Sequence, residues 1–373
     1  MSSNTFQKGS HVLVTGVNGF IATHVAIQLL QAGYRVTGTV RSQAKADALH
    51  EFFPAKYGSD KFKIIITGDL EKEGAFDEAV KDVDAIAHVA SPTNFNPENP
   101  IKDVVNPAIK GTINLLQSVL KYGEDVKHVV VTSSVSAIIN PMEQSPYVYT
   151  EKDWNEMALG VVSQWKEGDP VNGLLTYAAS KVAAERASFK FQKEFSPKFT
   201  IDTILPGTTF GAIISTPKSA KDITGTRSHV TAYYSGLATD VTTSNVFHHY
   251  VNVEDVALAH VLAIEKGSET NGERFILVAR GFTLQETVDI LRKHYPERRE
   301  IIVEGTPGKY PTLTQLIDGS KATQRLGIEY TNLNDYTIKD TVMTCVKAYF
   351  IELKRFAYAS KSLLIVIKTL VIW

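Results

Sequence analysis

The apolar positions of this chain change period along its length, and the changes mark out elements. His11 to Thr15 is a β-branched apolar run of strand length. Arg35 to Val40, Lys63 to Gly68, Ala85 to Ala90, His128 to Thr132 and Phe199 to Leu205 have the same character. Between them the pattern turns helical. Ala44 to Phe53 predicts one helix. Ile101 to Tyr122 predicts a longer one, with Val105, Ile109, Ile113, Leu116 and Leu120 at helical spacing. Leu174 to Phe195 predicts a third. Strands that alternate with helices predict βαβ units, hence an α/β fold with a doubly wound parallel sheet of Rossmann type. Ligands of such sheets bind outside the carboxyl ends of the strands. The informative positions are therefore where strands stop: Gly16, Arg41, Asp69, Ala90, Ser134 and Gly207.

The first strand runs directly into Gly16-Val-Asn-Gly-Phe-Ile-Ala22. Gly16 permits a sharp turn off the strand, Gly19 permits close backbone approach, and Ala22 lets the next helix lie flat on the sheet. The free N–H groups of that helix's first turn, around Asn18, Phe20 and Ile21, then face a pyrophosphate. Alone, three small residues after a strand are equally an ordinary turn. The second strand adds the nucleotide's identity. Enzymes that use NAD place a carboxylate near its end. Here no carboxylate appears before Asp47, and Arg41 and Lys45 stand in its place. Two cations there suit a 2′-phosphate, so the expected cofactor is NADPH/NADP.

The candidate chemistry lies further on. Tyr177-Ala-Ala-Ser-Lys181 opens the third helix, and residues four apart share a helix face. A neighbouring ammonium and a bound nicotinamide would lower the phenol's pKa from about 10, making it a proton donor usable near neutrality. Val129-Val-Val-Thr-Ser-Ser134 carries the fifth strand into two hydroxyls that could hold a carbonyl oxygen. Either motif alone occurs often by chance. Their order is specific: nucleotide turn, serines ending the fifth strand, then Tyr-x-x-x-Lys.

After about residue 210 the alternation breaks down. Gly, Ser and Thr cluster between Gly211 and Thr243, followed by a helix from Glu254 to Lys266, a strand near Arg274 to Val278 and a helix from Leu284 to His294. The predicted division is a nucleotide-binding domain over 1–210, with elements near 245–265 returning to it. A smaller C-terminal substrate lobe spans 211–350, and an atypical apolar tail spans 351–373. Phe95, Ile138 and Tyr234 are expected to line an apolar substrate pocket, beside Ile139 and Tyr233. No Arg or Lys stands ready to pair a substrate carboxylate. His248-His249 lacks a third ligand, so no metal is expected.

Composition narrows the setting. Among 373 residues, 43% are hydrophobic and 21% charged, the balance of a soluble globular chain. A net charge of −1 gives no reason to expect nucleic acid or an anionic membrane as partner. The lone Cys345 and the absence of an apolar leader predict a cytoplasmic protein. The tail from Lys361 to Trp373 is too short and interrupted to span a membrane.

Taken together, these segments resemble the extended short-chain dehydrogenases/reductases. The branch is that of dihydroflavonol and cinnamoyl-CoA reductases, and within it the fungal NADPH-dependent methylglyoxal (3-methylbutanal) and aldehyde reductases. Thr39-Val-Arg-Ser42, His88-Val-Ala-Ser-Pro92 and Tyr250-Val-Asn-Val-Glu-Asp-Val256 add to the likeness. The resemblance implies a catalytic triad of Ser134, Tyr177 and Lys181, with Ser134 chosen over Ser133. It implies that Lys181 also holds the nicotinamide ribose, that Asp69 and Leu70 flank the adenine, and that Pro206, Gly207 and Thr209 lie along the nicotinamide. The sequence departs from many relatives at Pro107, where they carry an asparagine of the proton relay. The implied activity is NADPH-dependent reduction of small aldehydes and ketones by a monomer or homodimer. Alternatives are an NAD-dependent nucleotide-sugar epimerase or dehydratase, a hydroxysteroid- or dihydroflavonol-type dehydrogenase, and a non-catalytic NADP-binding regulator.

Overall fold

The computed structural model describes residues 6–50, 52–143, 146–214, 225–241, 248–310, 312–332, 337–342 and 344. The predicted tail over 351–373 lies outside them. The strands are β1 His11–Val14, β2 Arg35–Val40, β3 Phe62–Ile66, β4 Ala85–His88, β5 His128–Thr132, β6 Tyr147–Tyr149, β7 Thr200–Pro206, β8 Thr208–Phe210, β9 His248–Asn252, β10 Arg274–Leu277, β11 Arg280–Phe282 and β12 Gln315–Ile317. The α-helices are α1 Phe20–Gln31, α2 Gln43–His50, α3 Phe53–Tyr57, α4 Asn106–Tyr122, α5 Glu156–Ser163, α6 Gly173–Phe195, α7 Thr226–Ser235, α8 Val253–Lys266, α9 Leu284–His294 and α10 Ser320–Leu326.

Seven strands form one parallel sheet in the order β10-β7-β5-β4-β1-β2-β3. Its inner strands are covered on both faces, which is why they read as continuous apolar runs. One core cluster packs α1 and α8 against the sheet through Val12, Val25, Leu29, Val256 and Phe275. The other packs α4 and α6 through Leu13, Ile86, Leu115, Val129 and Phe191. The winding direction reverses between β1 and β4, so their carboxyl ends open a crevice. The Thr15 hydroxyl, just past β1, fixes that crevice. It accepts the N–H groups of Val89 and Ala90, each at 3.0 Å, and donates to His88 Nδ1 at 2.9 Å. Burial holds His88 at about 3, hence neutral and able to accept.

Two corrections concern element bounds. The helix expected over Ile101 to Tyr122 begins instead as a wide π-turn, Ile101–Val105, before α4 starts at Asn106. Pro107 explains it: proline has no N–H to donate and its ring collides with a carbonyl one turn back, so the backbone widens there. The helix expected over Ala44 to Phe53 is two short helices, α2 and α3.

Beyond the main sheet, β8, β9 and β11 form a three-stranded sheet, parallel between β8 and β9 and antiparallel between β9 and β11. A separate core of Phe210, Tyr250, Phe282, Val288 and Leu291 joins it to α7 and α9. Asn252 ends β9 and caps α8, its side chain accepting the Glu254 N–H at 2.9 Å. Thus α8 and β10 return to the main sheet after the smaller sheet has begun. No helix among the described residues is long and apolar enough to cross a membrane.

Candidate active site

A cleft of about 2900 Å³ opens along the carboxyl ends of β1, β2, β4, β5 and β7 and extends to α7. Its floor is the turn after β1. Gly16 has φ +65°, and a Cβ there would lie 3.1 Å from the Ala90 side chain across the crevice. Only glycine combines that conformation with that clearance. The N-terminus of α1 at Gly19 has no side-chain cap and no acidic residue in its first turn. A helix start without a cap or carboxylate of its own suits an anion, because its dipole presents a positive end there.

The chemical groups converge from two elements. Ser134 ends the stretch after β5 and turns the chain into a single 3₁₀ turn, its Oγ accepting the Ser136 N–H at 3.1 Å. Tyr177 lies in the second turn of α6, whose start is capped by Asn172 accepting from Leu174 and Leu175, both at 3.1 Å. The Tyr177 ring sits 5.2 Å from that of Phe95, centroid to centroid, and Lys181 Nζ lies 5.7 Å from its centre. Lys181 Nζ donates to the Thr132 carbonyl at 3.2 Å.

Electrostatics here are set by burial first. Burial holds the Tyr177 phenol above its ordinary value, and the hydrogen bond with Ser134 works against that. The expectation that the Tyr177 pKa is lowered is thus not met by the protein's own groups, because desolvation of a phenolate outweighs them. Tyr177 is therefore protonated at neutral pH, the state a proton donor requires. Burial pushes Lys181 down to about 8, while the Glu185 carboxylate raises it.

Glu185 is a residue that the motif reading missed. It lies one further turn along the face that carries Tyr177 and Lys181. Its carboxylate is buried and accepts from Ser133 Oγ at 2.6 Å, Thr203 Oγ1 at 2.7 Å and Arg274 Nε at 2.7 Å. Neighbouring serines therefore do different work: Ser133 anchors the sheet to α6, and Ser134 faces Tyr177. The i, i+4, i+8 spacing was the available signal.

The other expected residues are placed as follows. Asn18, Gly19, Phe20, Ile21, Arg41, Lys45, Asp69, Leu70, Pro206, Gly207, Thr209 and Phe95 all line the cleft. Arg41 and Lys45 are exposed, and neither side chain is paired among the described residues. Two pocket residues need correction. Ile138 is fully buried in a cluster with Leu205 and Ile276, and Ile139 faces the cleft instead. The 3₁₀ turn at Val135–Ala137 rotates the chain so that only the second of the two isoleucines points in. Tyr234 does not line the cleft. Its ring packs 4.9 Å from Tyr295 and under Arg298, while its neighbour Tyr233 lines the cleft. Contrary to expectation, Lys102 and Lys110 also line the cleft, and Lys110 is 3.6 Å from Glu71. Among the described residues no group of three side chains could hold a metal ion.

The geometry defines a class: a parallel α/β sheet with a glycine turn at its switch point and a Ser-Tyr-Lys group beside it. Comparison with known proteins places the chain more closely. It belongs to the NAD dependent epimerase/dehydratase family, whose profile matches residues 12–278. It is 33% identical to a putative NADPH-dependent methylglyoxal reductase of Candida albicans, over 92% of this chain and 98% of that one. It is 39% identical to a putative uncharacterized oxidoreductase of Schizosaccharomyces pombe, over 79% of this chain and 85% of the other. Yeast methylglyoxal/isovaleraldehyde reductase, solved complexed with NADPH, superposes with a TM-score of 0.79 at 32% identity, covering 90% of this chain and 98% of that one.

The two serines separate experimentally. Ser133→Ala removes a donor to a buried carboxylate and is expected to lower unfolding free energy by about 1.5–3 kcal/mol. Ser134→Ala is expected to cost less than about 1 kcal/mol, since its hydroxyl faces the cleft. Urea denaturation of both variants measures the difference.

Proposed function

We propose that the chain is an NADPH-dependent reductase of aldehydes and ketones. The observation that carries this reading is the meeting of Ser134, Tyr177 and Lys181 at one end of a cleft whose other end bears Arg41 and Lys45. The cleft fits the cofactor by its own features: a helix N-terminus without a side-chain cap for the pyrophosphate and two cations, unpaired among the described residues, where an NAD enzyme carries an acid. Gly16, Asn18, Gly19, Phe20 and Ile21 would hold the pyrophosphate, and Arg41 with Lys45 the 2′-phosphate. Asp69 and Leu70 would flank the adenine, and Pro206, Gly207 and Thr209 the nicotinamide. When bound, the nicotinamide supplies hydride to the carbonyl carbon.

The protein's residues do the rest. Ser134 donates a hydrogen bond to the carbonyl oxygen and stabilises the negative charge that grows there. Tyr177 transfers its hydroxyl proton to that oxygen as the C=O π bond breaks, giving an alcohol. The Lys181 ammonium offsets the phenolate that remains, and solvent restores the proton. Relatives named as NADPH-dependent methylglyoxal reductases and an aldehyde reductase of Sporidiobolus salmonicolor, 34% identical over 78% of this chain, support the same chemistry. A nucleotide-sugar epimerase would share the triad. The cations at the end of β2 favour a cofactor with a 2′-phosphate instead. A carbonyl panel followed by NADPH absorbance tests the proposal.

Tyr177→Phe is expected to lower kcat by about 10²–10⁴-fold with NADPH binding nearly unchanged. Retention of most turnover would show that another group is the acid. The pH profile follows from Lys181. Below about 8 it is an ammonium and supports proton release from Tyr177; above, it is neutral and that support is gone. Reduction is therefore expected to level off below about pH 8 and to fall as pH rises through it, measured at saturating NADPH. Arg41→Ala removes a charge-assisted hydrogen bond of roughly 1.5–3 kcal/mol, so NADPH affinity should drop about ten- to hundredfold. Fluorescence titration should find NADH affinity unmoved.

A further inference from the structure

The mouth of the cleft is more apolar than a small polar substrate needs. Large apolar side chains are exposed at scattered places on this chain, but four of them border this one cleft. Phe95 follows β4 and is 40% exposed. Met142 follows the 3₁₀ turn at 76%, Val161 lies on α5 at 52%, and Leu174 on the first turn of α6 at 62%. They come from four separate segments, so no single amphipathic element explains the cluster. On α5 the division is sharp. Ala158 and Val162 face the core with Ala178, whereas Met157 and Val161, four apart, face the cleft.

The wall is also held in place. Gly173 opens α6 with the Phe95 backbone pressed against it. A Cβ at Gly173 would fall 1.8 Å from the Phe95 carbonyl oxygen and 2.6 Å from its carbon. No side chain fits there. The loop that carries Phe95 is thus seated on the first turn of the helix that carries Tyr177. Its ring stands beside that of Tyr177.

Exposed apolar surface that is rigid, concave and adjacent to reacting groups is the mark of a ligand site. We propose that the substrates are carbonyl compounds with an extended hydrocarbon tail, aliphatic or aromatic. The tail lies against Phe95, Val161, Leu174 and Met142 while the carbonyl meets Ser134 and Tyr177. This rests on the reductase reading above and narrows it: a short dicarbonyl such as methylglyoxal leaves the wall in water.

The test is a straight-chain series from propanal to octanal with the full-length protein and NADPH. Each methylene laid on the wall is worth up to about 0.8 kcal/mol, so kcat/KM should rise by about two- to fourfold per carbon before levelling off. Leu174→Ser and Val161→Ser should each lower octanal kcat/KM several-fold more than propanal kcat/KM. Dissociation constants of the matching unreactive n-alkyl amides, measured by calorimetry with NADP present, should follow the same slope. A flat or falling series overturns the proposal while leaving the reductase reading intact. So does equal loss for short and long aldehydes in the variants. A preference for an ω-carboxylated aldehyde also overturns it, pointing to Lys102. If NADPH binds but no aldehyde is reduced, the reductase reading fails. An amide slope that survives that failure still marks the wall as a hydrocarbon site.

Discussion

A single buried carboxylate ties the chemistry to the fold. Glu185 lies in a helix, yet three of its partners lie in or beside three different strands: Ser133 after β5, Thr203 in β7 and Arg274 in β10. A carboxylate withdrawn from water is tolerable only when charge and donors surround it. That requirement fixes the rotation of α6 about its axis. Since Tyr177 and Lys181 share the face of Glu185, satisfying the carboxylate also aims both of them at the cleft. Arg274 extends the tie outward, donating to the carbonyls of Glu151 at 2.6 Å and Asp153 at 2.7 Å and covering the Trp154 ring at 3.7 Å. The same carboxylate sustains the charge on Lys181 against burial, so one group serves both position and protonation.

The nucleotide end of the cleft rests on different physics. There the main chain does most of the work, through a turn that only glycine can make and a helix start without a side-chain cap. Thr15 and a neutral His88 lock the two strands whose divergence creates the crevice. Rigid backbone at one end and a satisfied ion pair at the other leave the space between them to be shaped by loops. Residues of different character follow one another along the cleft: Asn106 and Pro107 at the start of α4, Phe95 and Met142 on the loops.

The sheet was legible because its inner strands are buried on both faces and so read as unbroken apolar runs. The triad was legible because helix spacing and strand ends are local properties. What escaped depended on contacts distant in sequence. β6 and β12 are three-residue strands that exist by pairing with each other, Tyr147 with Gln315 and Tyr149 with Ile317. Neither has a pattern of its own. Ile138 and Ile139 were both expected in the pocket because they follow the serines, but after the 3₁₀ turn only Ile139 lines the cleft. Tyr234 and Tyr233 are adjacent on one helix, and only the packing of Tyr295 and Arg298 decides which faces the cleft. Glu185 was within reach of the helical period; its partners were not.

Gly173 carries a consequence for how sequences of this kind can diverge. Because the Phe95 backbone rests on it, one wall of the cleft and the proton donor form a single rigid piece. Side chains along that wall can be exchanged without moving the donor, so selection for new substrates and retention of the chemistry need not compete. The freedom is one-sided. Any side chain at position 173 would displace the wall and the helix together, making that glycine the place where variation in recognition becomes variation in reactivity.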